Sequence, residues 1–161
     1  MIKLNGKIVE LNHFPDGTLR MDIDVFEHSD YREFYRINWK FENNEELVGL
    51  IYLVKHIRRF TKNSPIILYM NYIPNARMDR VKNNNDVFTL KYFSEIINSL
   101  NFNDVVVCDP HSSVSEALIN NIRISGIEPL ITSILKRIGK DTIIYFPDNG
   151  AAKKYEDLFK G

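Results

Sequence analysis

From residue 44 onward, stretches of helical period alternate with short, almost wholly apolar runs, and no other feature restricts the fold of this chain as much. Leu47, Leu50, Ile51, Val54 and Ile57 recur at helical spacing. Asn43, with Glu46 three residues on, supplies a capping pair, so a helix is predicted over 44–60. The run Pro65–Met70 reads as a strand buried on both faces. A helix over 87–99 follows, with Phe88, Tyr92, Phe93, Ile96 and Ile97 inward, then a buried strand over 105–108. A short helix over 113–120 and a brief strand over 122–125 come next. Pro129 suits the first turn of a helix reaching about residue 138, and Gly139 suits its stop. A buried strand over 142–146 and a helix over 151–159 complete the chain. Apolar strand alternating with amphipathic helix is the pattern of parallel βαβ units, hence an α/β fold.

The first forty residues differ in kind. Ile2–Leu11 and Thr18–Phe26 flank Phe14-Pro15-Asp16-Gly17, a turn signal, and predict an N-terminal antiparallel hairpin. Over 33–41, Tyr35, Ile37, Trp39 and Phe41 alternate at period two, as a strand with one buried face requires. With 161 residues, 44% of them hydrophobic, the chain has enough apolar surface for one ordinary domain or slightly more. Its 21 basic and 21 acidic residues cancel, which argues against a broad nucleic-acid surface. A single cysteine, Cys108, rules out a disulfide framework and fits a reducing compartment. The N-terminus has no signal-peptide pattern and no apolar stretch is long enough to span a bilayer, so a cytoplasmic protein without a membrane partner is expected.

In open parallel sheets, ligands bind beyond the carboxyl ends of the strands, so the loops after the apolar runs are where chemistry is expected. Asn71–Asp86 is a loop of about sixteen residues without a period, a length that is usually functional or disordered. It carries Arg77, Arg80 and Lys82, and arginines clamp phosphate oxygens through paired N–H donors. The competing reading is a solvated loop with no specific role. Next comes Asp109-Pro110-His111-Ser112-Ser113. Asp109 and His111 are two apart and project to one side of an extended chain. Together they can hold a divalent ion, or its waters, against a nucleotide phosphate. Alternatively, Asp109 caps the next helix and His111 packs at the surface. The third loop, Pro147–Lys154, has Gly150 at a helix start, where N–H groups favour anions. For Asp148, an N-cap with no ligand is the commoner role. Dinucleotide and P-loop glycine motifs are absent from the sequence.

Taken together, these loops resemble those of the ribose-phosphate diphosphokinases, the phosphoribosyl-pyrophosphate synthetases. The family pattern Y-A-R-Q-D-R/K is matched by Asn75-Ala76-Arg77-Met78-Asp79-Arg80, and D-L-H by Asp109-Pro110-His111. S-P-D-x-G-G-A-K is matched by Phe146-Pro147-Asp148-Asn149-Gly150-Ala151-Ala152-Lys153, and F-S-D/N-G-E by Phe14-Pro15-Asp16-Gly17-Thr18. The motifs stand in the family's order and cover essentially the whole chain. Met78, Thr18 and Ala151 stand where the family has glutamine, glutamate and glycine.

The resemblance implies phosphoribosyltransferase-like parallel sheets flanked by helices. Residues 1–126 would form the ATP-side domain, and 127–161 the incomplete start of a second. The implied reaction transfers the β,γ-diphosphoryl group of ATP to ribose 5-phosphate with Mg2+. Arg77, Asp79, Arg80 and Lys82 would line the ATP phosphates, and Asp109 and His111 would lie by the magnesium, His111 touching ATP as well. Phe14 and Asp16 would reach the adenine of ATP held by a neighbouring subunit, which implies a homo-oligomer with shared sites. Asp148 would sit by the ribose 5-phosphate. The family's catalytic basic residues fall beyond residue 161, so none is expected within this chain, nor turnover by it alone. The alternative is a non-catalytic regulatory or assembly relative.

Overall fold

A computed structural model describes residues 1–25, 34–61, 63–138, 143, 145–146 and 148–156. The chain divides into two compact units, Met1–Ser125 and Gly126–Gly161.

The first unit contains β1 (Ile2–Leu4), β2 (Lys7–Ile8), β3 (Asn12–His13), β4 (Leu19–Arg20), β5 (Tyr35–Trp39), α1 (Glu45–Phe60), β6 (Ile66–Met70), α2 (Thr89–Ser99), β7 (Asp104–Cys108), α3 (Ser113–Leu118) and β8 (Ile122–Ser125). Six strands form one sheet in the order β2-β1-β5-β6-β7-β8, and β3 and β4 form a separate hairpin. From β5 to β8 every pairing is parallel, while β1 joins β5 antiparallel through Ile2↔Trp39 and Leu4↔Ile37. This is the α/β fold with an N-terminal antiparallel hairpin that the alternation of patterns predicts.

Why the core lies where it does follows from strand order. Each parallel strand sits beside its predecessor, so right-handed crossovers place α1, α2 and α3 on the same face of the sheet. That face carries Ile2, Leu4, Ile37, Trp39, Ile66, Leu68, Met70, Val105 and Val107, all buried. Against it pack Leu50, Leu53, Val54 and Ile57 of α1, and Leu90, Phe93 and Ile97 of α2. Each such side chain contributes about 1.5–3 kcal/mol relative to exposure. The opposite face is only partly covered, so the expectation that residues 65–70 are buried on both faces is corrected. Ile67 and Tyr69 alternate with the buried Ile66, Leu68 and Met70. Cys108, expected to be buried, is likewise half-buried on β7.

Local chemistry moves several boundaries. Ile2–Leu11 is not one strand, because Asn5 (φ 48°) and Gly6 (φ 92°) make a tight turn between β1 and β2. The predicted strand Thr18–Phe26 shortens to Leu19–Arg20, with Phe26 outside the described residues. At the start of α1 the Glu46 N–H donates to Asn43 Oδ1 (3.2 Å), as the capping pair anticipates. The Glu46 carboxylate itself turns to the Met1 amine, the Trp39 Nε1–H (3.0 Å) and the Glu42 N–H (2.9 Å).

In the second unit, α4 (Glu128–Leu135) and α5 (Asn149–Tyr155) form as the Pro129 and Gly150 signals require. The buried strand expected over 142–146 is corrected. Its described residues, Ile143, Tyr145 and Phe146, are not in a strand, and Ile143 and Tyr145 are 73% and 84% exposed. No described strand pairs with Ile143 or Tyr145, and a strand needs a neighbour to satisfy its backbone groups. Residues 157–159 of the expected last helix lie outside the described residues. Among the described residues, no helix is long and apolar enough to cross a membrane.

Candidate functional site

The loops after β6 and β7 leave neighbouring parallel strands at their carboxyl ends, paired as far as Met70↔Val107, and so emerge side by side. The first, Asn71–Asp86, has no helix or strand yet is not a free solvated loop. Ile73, Pro74 and Ala76 are buried and tie its first half to the core. Asn75 takes a left-handed conformation (φ 63°), and the Met78 N–H donates to its carbonyl (2.9 Å). The second half closes on Asp86, whose carboxylate accepts the N–H groups of Lys82 and Asn83, both at 2.9 Å. Those two bonds hold the Asp86 carboxyl below its ordinary value.

Asp79 lies on the side of the first loop that faces the second. It is one of two buried charged side chains among the described residues, the other being Glu46. Arg80 Nε donates to its Oδ1 at 3.0 Å. That bond is the chief reason its carboxyl is held low; burial works against it, and Ser112, the Arg80 charge and His111 add to it. The bond from Arg80 thus outweighs the cost of burial and favours the charged carboxylate. Ser112 and His111 belong to the loop after β7, so the carboxylate from one loop sits in the electrostatic field of the other. The Ser112 hydroxyl is buried and makes no hydrogen bond of regular geometry, although Asp79 lies at the edge of its reach.

The sequence-derived candidates fall into three places. Arg77, Arg80 and Lys82 are exposed on the first loop, with Met78 half-buried between them. Asp109 follows β7 in the left-handed region (φ 50°), which aspartate tolerates better than most side chains, and His111 is exposed two residues on. Asp109 is not a helix cap: Ser112 holds the N-cap position of α3. In the hairpin, Phe14 is half-exposed, with the Arg20 guanidinium 5.9 Å from its ring centroid. It lines a cavity of about 380 Å³ with Met21, Tyr52 and His56 among others. Asp16 closes its own turn, accepting both the Thr18 N–H (2.9 Å) and hydroxyl (2.7 Å) on Oδ1, which lowers its carboxyl value. Asp148, in the second unit, is the N-cap of α5 and accepts the Ala151 N–H at 2.8 Å.

A solved structure has this arrangement of elements. Phosphoribosylpyrophosphate synthetase from Mycobacterium smegmatis matches over 94% of this chain and 52% of its own, with a TM-score of 0.71 at 16% sequence identity. The fold is phosphoribosyltransferase-like. The chain spans about half the length of that synthetase. The sequence matches no known protein-family profile and no curated protein.

Sequence reasoning missed Ser112 and Asp86. A serine or aspartate beside a helix start or a turn is a recognisable capping signal, but its partner is known only once the loop is folded. Among the described residues no three metal-binding side chains come together. Magnesium does not need three, since it keeps several waters and takes one or two carboxylates plus substrate phosphates. Asp109 is the one carboxylate of the Asp109–Ser113 loop, and His111 stands two residues on.

Proposed function

We propose that this chain binds magnesium-ATP through the loops after β6 and β7, as the nucleotide side of a ribose-phosphate diphosphokinase, without transferring the diphosphoryl group alone. The carrying observation is the parallel pairing of β6 and β7, in register as far as Met70↔Val107, from which the arginine-bearing loop and the next loop leave side by side. It brings the three cations of one loop and the Asp-x-His pair of the next to a single end of the sheet. In this reading Arg77, Arg80 and Lys82 hold phosphate oxygens, as exposed guanidinium and ammonium groups on an anchored loop are suited to do. Asp109 and His111 face the waters of the nucleotide's magnesium, which neutralises phosphate charge when bound. Phe14 and Asp16 meet the adenine of ATP on a neighbouring subunit of a homo-oligomer, and Asp148 serves ribose 5-phosphate.

Isothermal titration with ATP, with and without Mg2+, tests the reading. Saturable binding is expected with magnesium and little without it. Arg77→Ala removes a charge-assisted contact of about 1.5–3 kcal/mol, roughly ten- to a hundredfold in affinity. His111→Ala lowers the magnesium-dependent affinity without lowering the melting temperature. Equal affinity in wild type and Arg77→Ala, both folded, sinks the proposal.

One observation favours a non-catalytic regulatory relative instead. An Asp16 oxygen is committed to Thr18 within its own turn, which gives that carboxylate a local structural task. If this reading is correct, adding the chain to an active full-length synthetase changes the synthetase's rate, while the chain's own affinity for magnesium-ATP stays low.

A further inference from the structure

The β3–β4 hairpin and the residues after it are held against α1 at two points. The His13 ring meets the Glu45 carboxylate, and three turns along the helix His56 Nε2 bonds the Ile23 carbonyl at 3.2 Å. Between these ties lies the cavity of about 380 Å³. Sites for small molecules run from roughly 300 to 1,000 Å³, so it is large enough for one compact ring system. Three rings line it from two elements: Phe14 from the hairpin, and Tyr52 and His56 one helical turn apart on α1. Phe14 and Tyr52 are 50% and 51% exposed, so each has ring surface left to give to a ligand.

The polar lining is a pair of cancelling charges. Arg20 Nε donates to Asp22 Oδ2 (3.0 Å), and Nη2 lies 2.9 Å from the same oxygen. Asp22 Oδ1 and Arg20 Nη1 make no further hydrogen bond among the described residues. An acceptor beside a donor is the counterpart of a heteroaromatic edge that carries an N–H next to a ring nitrogen or a carbonyl. We infer that this cavity binds the uncharged base of a nucleoside, stacked on Phe14 and Tyr52 with its polar edge on Asp22 and Arg20. Stacking accepts any base, so selectivity rests on the charged pair. Because the pair has no net charge to draw a phosphate, nucleosides are favoured here over nucleotides. The site needs no magnesium and lies on other elements than the loops after β6 and β7. Phe14 is shared with the adenine contact proposed above, so Tyr52 and Asp22 are the residues to change.

Methyl-labelled NMR of the full chain, titrated without magnesium with adenosine and separately with guanosine, tests the inference. The methyl signals of Met21, Ile23 and Leu53, which line the cavity, are expected to move and saturate with at least one of the two. Tyr52→Ala weakens that binding by about tenfold and Asp22→Ala by several-fold, with methyl signals elsewhere unchanged as proof of an intact fold. Arg77→Ala keeps it, which separates this site from the magnesium-ATP site. Cavity signals that stay still with both nucleosides at millimolar concentration overturn the inference. Unchanged affinity in Tyr52→Ala and Asp22→Ala does so too. Indole binding as tightly as either nucleoside also overturns it, since the cavity would then accept any ring, a partner's aromatic side chain included.

Discussion

Glu46 binds three donors from three places in the chain: the Met1 amine, the Trp39 indole and the Glu42 N–H. Burial alone would raise its carboxyl value, but the bonds from the Met1 amine, Trp39 and Glu42 outweigh burial and hold the value low. A carboxyl lowered on folding stabilises the protein fully above its unfolded value, about pH 4.5, and that stability is lost as pH falls through the folded value. Glu46→Gln should therefore lower the melting temperature at pH 7 and flatten its fall between about pH 5 and 3, as differential scanning fluorimetry across that range would show. An unchanged acid limb would remove Glu46 from this role. The helix-capping relation of Asn43 and Glu46 was readable from their spacing. The bond to Trp39 was not, because it depends on where β5 delivers the indole.

At the level of elements, periodicity located nearly every helix and parallel strand, since a buried stripe must repeat with its own geometry. Three things escaped it. Asn5-Gly6 is a hairpin dipeptide hidden inside an apparent strand, and the apolar character of 142–146 did not show that Ile143 and Tyr145 would lie exposed. The third is Arg58, whose place in the last turn of α1 says nothing of its hydrogen-bond partners. In the structure its guanidinium donates to the Ser64 carbonyl and to the Asn101 carbonyl (3.1 Å), binding the loop after α1 to the loop after α2. Arg58→Ala should cost about 1–3 kcal/mol through those two lost bonds, while Arg59→Ala should cost at most a few tenths. Urea denaturation of the two variants makes the comparison, and equal midpoints would refute the cross-tie. Likewise the candidate loops were legible by position, whereas their emergence side by side was not, because it depends on β6 and β7 pairing across about forty residues of sequence.

Taken whole, the molecule places its six-stranded sheet and the core beneath it within residues 1–125. A chain ending at Ser125 is expected to keep the far-ultraviolet spectrum of the sheet and its helices and to melt in one cooperative transition. Circular dichroism of that truncation decides the point, and a loss of cooperativity would show that the first unit does not stand alone. The order β5-β6-β7-β8 also bears on how the chain reaches this state. Each parallel strand docks beside the one just made, across a single helix, so loop closures stay short and no central strand waits for a distant one. Growing from its N-terminus, the chain can consolidate the sheet one βα unit at a time, at the rate of synthesis. The edge most exposed to misassembly on the ribosome is thus always the newest strand, and only until the next one emerges.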